Sequence, residues 1–393
     1  FKFRVRKFMK LFKSLLVAPA TLGLLAPMSA TANEVTISDF TPAEQLAITN
    51  SRVDGLEARL NNIEAGSFSE TTSASFSADF AIGAVDGSGI TTTDKDSGTE
   101  ALTAVYGFQI DLSTSFTGED SLDISIDAGN AGAAGVAEFD LNSTSDKLTV
   151  DGVSYSFPVG DKISAFVGAQ GTDGSSAFTV ACTYGGPSNT LDDCGNVQSG
   201  FNAMSGSSVG ASYAFSDEFA VAVGYAGNGV EASKGLMTSE GLDAVGINAA
   251  YTTDTYGISA TYSSVETAAT KPAGSYADTS FAFNGYFSPE GFPSISAGYE
   301  FTDIGGAADT VDEKTSFFVG LQFDEVGPGS AGLAVGTQGS ITEGSDEALM
   351  YEAYYSYPVN DGMTITPLVY AKEATSSTDE DETGIMVKTS FSF

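Results

Sequence analysis

The sequence predicts an all-β chain: a transmembrane antiparallel β-barrel of about 16 strands, with roughly 14–18 left open, preceded by a short coiled-coil helix. Three observations carry this. From Phe68 onward apolar residues recur at every second position, as in Ile295, Ala297, Tyr299 and Phe301 against Ser296, Gly298 and Glu300. The alternating segments run roughly 9–12 residues, the length of a tilted strand that crosses a bilayer. Their connections are sorted by length. Tight turns such as Gly160-Asp161, Ser216-Asp217 and Gly327-Pro328-Gly329 follow the even-numbered segments, and longer polar stretches follow the odd-numbered ones. A soluble sandwich alternates too, but has no reason to sort its connections.

The first segment reads as an address. Residues 1–32 carry Lys2, Arg4, Arg6, Lys7, Lys10 and Lys13 with no acid, then an apolar run from Leu15 to Pro27, then the small-x-small site Ala30-Thr31-Ala32. This is the pattern of a secretory signal peptide, with Met9 as its start and residues 1–8 as upstream read-through. Residues 33–40 form a short linker. A helix is expected over 41–66: Thr41 caps it, Pro42 takes the first helical position, Glu44 closes a capping box, and Gly66 ends it. Leu46, Val53, Leu56, Leu60 and Ile63 lie on a heptad seam. Arg52 and Arg59 stand five residues before Glu57 and Glu64, the spacing of attractive pairs between parallel neighbours. A helix with so narrow a stripe either lies against its own chain or joins identical subunits. The charge pairs favour a periplasmic coiled coil and a homotrimer.

Residues 67–393 supply the strands, expected near 69–84, 101–116, 121–127, 146–157, 162–170, 205–215, 218–226, 241–252, 255–264, 277–287, 293–303, 314–324, 330–337, 348–357, 362–373 and 383–393. An even count places both barrel ends at the short-turn rim. Tyr and Phe near strand ends would form the interfacial girdles, since the chain has no Trp.

Composition narrows the function. The 393 residues include 51 Asp+Glu, 16 Lys+Arg and no His, for a net charge of −35. Without His there is no Ser-His or Cys-His nucleophile pair and no His-ligated metal or haem. Two Cys cannot complete a zinc or iron–sulfur site. No enzyme activity, cofactor or metal site is expected. Such acidity also argues against nucleic acid as a partner. The barrel segment has eight Lys and no Arg. By strand parity Asp79, Asp111, Asp123, Asp243, Glu300 and Glu352 face the lumen, with Lys162, Lys314, Lys372 and Lys388. An acid-rich lumen favours cations. The connection over 171–204 is the longest and holds both cysteines. The periplasm is oxidising, so a disulfide between Cys182 and Cys194 is expected.

Three stretches resemble the cyanobacterial outer-membrane porin family of the iron-uptake type. They are the leader MKLFKSLLVAPATLGLLAP from Met9, the run SRVDGLEARLNNIEAGSFSETT from Ser51 to Thr72, and the terminal Phe393. The S-layer homology domain common in that family has only Asn33 to Phe40 in its place. The resemblance implies a multi-pass outer-membrane barrel among outer-membrane lipids, with Phe393 read by the barrel-assembly machinery. It also implies that the third long loop folds inward and narrows the channel, which would bring Asp173, Asp192 and Asp193 to the constriction. The expected function is a passive, cation-preferring, water-filled porin for inorganic ions and small hydrophilic solutes. The alternative is a structural or adhesive surface β protein without channel activity.

Overall fold

The computed structural model describes residue 41 and residues 72–87, 101–131, 137–139, 141–172, 174–199, 206–227, 235–238, 241–266, 277–305, 312–375 and 380–393. The leader, the linker, the heptad seam and Asp173 lie outside the described residues.

The strands are β1 (Thr72–Asp86), β2 (Thr103–Thr114), β3 (Ser121–Gly129), β4 (Thr149–Val159), β5 (Ile163–Thr172), β6 (Gly206–Ala214), β7 (Phe219–Gly227), β8 (Asp243–Thr252), β9 (Tyr256–Glu266), β10 (Ala277–Phe287), β11 (Ser294–Asp303), β12 (Glu313–Val326), β13 (Gly329–Thr337), β14 (Ile341–Thr342), β15 (Leu349–Asn360), β16 (Met363–Lys372) and β17 (Glu382–Ser392). β14 is a two-residue rung inside the β13–β15 connection, paired with β12. The other sixteen pair antiparallel with their chain neighbours, and β1 pairs with both β2 and β17. The sheet is therefore closed. Closure leaves no edge strand, so every ladder group is satisfied within the barrel, the condition a bilayer imposes on β structure.

The closing seam is the β1–β17 ladder, in register from Ser77–Ser392 to Asp86–Thr383, and Phe393 extends it. Phe76 and Phe393 exchange backbone hydrogen bonds at 2.9 and 3.0 Å, and their rings stack with centroids 5.8 Å apart. The short connections are those expected. Gly160 and Gly327 stand in two of them with φ of 66° and 65°, the left-handed region that only glycine enters without strain.

Alternation sets the two faces. Phe80, Ile82, Val245, Ile247, Phe283, Ile295, Tyr299, Leu333, Val369 and Ile385 point outward and are exposed. In water such a surface would aggregate; against lipid it is the solvent-matched face. Aromatic pairs gather at the short-turn rim: Tyr155–Phe157, Tyr213–Phe215 and Tyr251–Tyr256, with centroids 5.4, 4.7 and 5.9 Å apart. These amphipathic rings suit the interfacial belt.

Two residues expected in the lumen face elsewhere. Asp243 shares its strand face with the exposed Val245 and Ile247, so it points outward. It sits at the long-loop end of β8, where the Tyr225 hydroxyl and the Met237 amide donate to it. Lys162 belongs to the turn before β5. Its ammonium donates to the Phe215 carbonyl at 3.4 Å and lies 5.8 Å from the centre of the Tyr213 ring, on the outer rim. A long lysine at a strand end satisfies its charge at the interface and leaves its stem on the aromatic girdle.

Candidate functional site: the lumen and its inward loops

The inner wall is built from the complementary set of positions. On β11, Ser294, Ser296, Glu300 and Thr302 are buried while their neighbours are exposed. β9 presents Ser259, Thr261 and Ser263 inward, and β10 presents Asp278, Ser280 and Asn284. In an empty sixteen-strand barrel these groups would meet water. Here the connection after β5 covers Ser259, Ser294, Ser296, Asn284 and Glu300.

That loop crosses the wall in two limbs. In the outbound limb, alternate amides of an extended stretch donate to side chains from β8, β9, β11 and β12 in turn. Thr179 N–H donates to Asn248 Oδ1 at 3.0 Å, Ala181 to Ser259 Oγ at 2.9 Å, Thr183 to Ser296 Oγ at 2.9 Å, and Gly185 to Gln322 Oε1 at 3.3 Å. The period is 2 because the limb is extended. Between them Tyr184 turns its ring onto Phe318 and Tyr354, with centroids 5.2 and 5.9 Å away, and donates its hydroxyl to Glu352 at 2.5 Å. Burial first, and the Glu352 carboxylate second, push the Tyr184 phenol well above its ordinary value.

The return limb is held by β10, β11 and β12, part of the same stretch of wall. Asn284 donates to the Cys194 carbonyl at 2.9 Å, and Ser316 Oγ to the Gly195 carbonyl at 2.8 Å. Glu300 accepts the amides of Gln198 and Ser199 at 2.9 and 2.8 Å. Cys182 and Cys194 are disulfide-bonded, which ties the limbs together. The wall makes room for the loop backbone with glycine. A Cβ on Gly298 would overlap the Cys194 carbonyl oxygen, and one on Gly224 the Gly174 carbonyl oxygen.

The structure thus separates the expected lumen residues into groups with different work. Glu300 and Glu352 face inward but are 1% and 5% exposed. They anchor the loop instead of meeting passing solutes. Asp111 and Asp123 face inward on β2 and β3 and are partly exposed. Asp111 accepts from Ser125 Oγ at 2.6 Å and Gln109 Nε2 at 2.8 Å, and Asp123 from Ser121 Oγ at 2.7 Å. Asp79 is inward on β1, opposite Gly107. Lys314 is inward and pairs with Asp278 at 3.3 Å; Lys372 pairs with Glu138; Lys388 lies 5.4 Å from the centre of the Phe139 ring. Among the described residues no lysine pairs with Asp79, Asp111 or Asp123.

Asp192 and Asp193 are exposed at the loop's turn and line two cavities. One, of about 640 Å³, opens toward the long-loop rim beside Gln338, Gly339 and Lys372. The other, of about 360 Å³, lies within the loop beside Cys182, Tyr184 and Thr261. No cluster of three or more His, Cys, Asp and Glu among the described residues is arranged to hold a metal ion.

Sequence reasoning missed Asp278 and Glu138, the partners of two lumen lysines. Asp278 opens β10 on the inward parity and was available to the same argument. Glu138 lies in the second long connection, 234 residues from Lys372, and no local pattern announces it.

No protein-family profile and no curated protein matches this chain. Solved structures do, by shape. OprB of Pseudomonas putida aligns over 82% of this chain and 94% of its own, with a TM-score of 0.58 and 11% identity. A loop-deletion mutant of OmpT, an outer membrane protein of Vibrio cholerae, covers 82% and 100% with a TM-score of 0.52 and 10% identity. A double mutant of Rh. blastica porin covers 82% and 100% with a TM-score of 0.50 and 13% identity. The chain shares with them a fold, the multi-pass sixteen-strand β-barrel of outer-membrane porins.

Proposed function

We propose that the protein is a passive outer-membrane channel that lets inorganic ions and small hydrophilic solutes diffuse, with a preference for cations. One observation carries the reading: a disulfide-tied loop is fastened by hydrogen bonds across the inner wall of a closed barrel, so the lumen is narrowed at a defined place. Asp192 and Asp193 are exposed on that loop, and Asp111 and Asp123 face the lumen from β2 and β3. The inward lysines Lys314 and Lys372 already have carboxylate partners. Fixed negative charge in a confined aqueous path raises the local cation concentration. Membership of the cyanobacterial iron-uptake type, a homotrimer held through residues 41–66, and recognition of Phe393 by the assembly machinery belong to the same proposal and rest on the sequence.

Single-channel recording in planar bilayers tests it. Stepwise conductance with a reversal potential of cation-selective sign in a salt gradient is expected, with selectivity weakening as salt rises. Absence of conductance from folded protein would leave the surface-protein reading; an anion-selective reversal potential would overturn the charge argument alone.

A further inference from the structure

The inner wall breaks its own rule in one band. On β1, β2, β16 and β17 the inward residues near the short-turn half are polar: Ser77 and Asp79, Gln109 and Asp111, Thr364 and Thr366, Lys388 and Ser390. Near the long-loop half of those strands and of β15 they become apolar. Val85, Val105, Met350, Leu368 and Met386 all face inward and are all buried. Their strand neighbours Ile82, Tyr351, Val369 and Ile385 are exposed to the outside, so this band is not a misassigned lipid face. An apolar band inside a wet lumen is unfavourable unless something covers it.

The second long connection covers it. Its neck is clamped beside β2, where Ala131 N–H donates to the Asn142 carbonyl at 3.2 Å and the Asn142 side chain donates to the Phe108 carbonyl at 3.1 Å. From there Phe139 and Leu141 join one apolar cluster with the band, and Phe139 is 2% exposed. Two inward lysines hold the tip: Lys372 pairs with Glu138, and Lys388 lies over the Phe139 ring. The tip also meets the third loop. The Asn189 amide donates to the Glu138 carbonyl at 2.9 Å, and Leu191 belongs to the same cluster.

We infer that the aperture is set by two loops, with the Glu138–Phe139 tip of the second loop as a resident size filter seated on the apolar band. The inference rests on the channel reading above. The third loop is tied covalently to itself and bonded to at least six strands. Among the described residues, the second loop's tip is held by an ion pair, the buried Phe139 ring with Lys388 over it, and one backbone hydrogen bond. It is therefore the element whose release widens the path, and the solutes it excludes are uncharged hydrophilic molecules, for which the acidic residues offer no compensation. Lys372 acts here as a positioning residue.

Two experiments test this. Carbodiimide treatment of the unmodified folded protein couples a carboxylate to an amine in contact with it; mass spectrometry should find Glu138 joined to Lys372 within one chain. Mixing isotopically light and heavy subunits separates that product from a link between subunits. A link between subunits, or none at these residues, would overturn the seat. The second experiment compares the parent with Phe139→Ser and with the milder Lys372→Met in planar bilayers. Conductance should rise by roughly twofold if the tip and the third loop share the cross-section evenly, and larger neutral polyethylene glycols should enter. A silent parent with a conducting variant would support a tip that closes the path fully. Equal conductance and equal polymer cut-off in parent and variants overturns this inference and leaves the channel intact. Parent and variants all silent overturns both readings.

Discussion

Removing one hydroxyl should loosen the third loop without disturbing its packing. Tyr184→Phe keeps the ring between Phe318 and Tyr354 and deletes only the donor to Glu352. Glu352 is 5% exposed, so water cannot readily replace what is lost. A hydrogen bond to a charged acceptor contributes about 1.5–3 kcal/mol, and about 1.4 kcal/mol is a factor of ten. Opening of the outbound limb should therefore become roughly 10- to 150-fold more frequent by that arithmetic. The readout is amide hydrogen exchange at Ala181, Thr183 and Gly185, whose N–H groups point at wall side chains. Gln198 and Ser199, bonded to Glu300 on the return limb, serve as an internal reference. pH gives a second arm. The docked phenol holds its proton above its ordinary value of 10.0, because burial and Glu352 disfavour the phenolate. The undocked phenol releases that proton near its ordinary value, so docking is at full strength below about pH 10 and weakens as pH rises beyond it. Parent exchange at the three amides should accelerate above that pH relative to the Tyr184→Phe variant, which lacks the titrating group. Exchange rates within threefold of the parent at neutral pH, together with matching pH profiles, would refute the claim that this contact holds the loop.

Four further outcomes follow from the same geometry. Gly298→Ala places a methyl group on the Cys194 carbonyl, so the return limb must shift; hydrogen exchange at Gln198 and Ser199 should rise at least about tenfold while the barrel's thermal transition stays in place. Cys182→Ser with Cys194→Ser removes the tie across a separation of 12 residues, costing up to about 3 kcal/mol on the chain-entropy account, and should appear as increased current noise and faster proteolysis within 178–199. Asp192→Asn with Asp193→Asn should lower the cation-to-anion permeability ratio measured from reversal potentials, whereas an unchanged ratio would place this turn outside the ion path. If the proposed trimer is held through residues 41–66, Leu56→Asp with Leu60→Asp should reduce its yield in crosslinking while heat-modifiable gel migration of the barrel persists, because the barrel closes on itself.

All sixteen barrel strands were legible within a few residues because each is judged by two solvents at once. Lipid on one side and a polar interior on the other force a period of 2 that no helix imitates. β10 was expected at 277–287 and occupies Ala277–Phe287. The same rule failed at strand ends. Asp243 and Lys162 lie where the wall gives way to a loop or turn, and there a charged side chain is satisfied by the rim whichever way its parity points. The disulfide was readable from two cysteines in one oxidised loop. Its docking track was not. Asn248, Ser259, Ser296 and Gln322 look in sequence like ordinary residues of a wet wall, and only the fold reveals that each accepts an amide of one extended segment. Glu300 and Glu352 were found for their charge, but their burial under the loop depends on contacts about 100 and 170 residues away, a separation at which sequence pattern carries no register.

The inner wall nevertheless encodes where its loops belong, through departures from what a water-filled barrel needs. A hydrated wall has no use for Val85, Met350, Leu368 or Met386 on its inner face, and no use for a missing Cβ at Gly298 or Gly224. Each departure would cost stability in an empty barrel, either as exposed apolar surface or as backbone entropy. Each becomes favourable when a particular loop segment occupies the space beside it. The two kinds also differ in what they specify. Glycine admits backbone, and it stands where loop main chain runs flush with the strands: Gly298 and Gly224 beside the third loop, Gly129 beside the Asn142 carbonyl of the second. Apolar side chains admit an apolar side chain, and they stand where Phe139 enters from the second loop and Leu191 from the third. A loop held by its backbone along many strands has one position, set by the ladder of acceptors. A tip held through one ring, one ion pair and one backbone hydrogen bond among the described residues has a shallower seat. The inner wall therefore marks the seats of both loops, by glycine where loop backbone passes and by aliphatic residues where Phe139 of the second loop and Leu191 of the third meet.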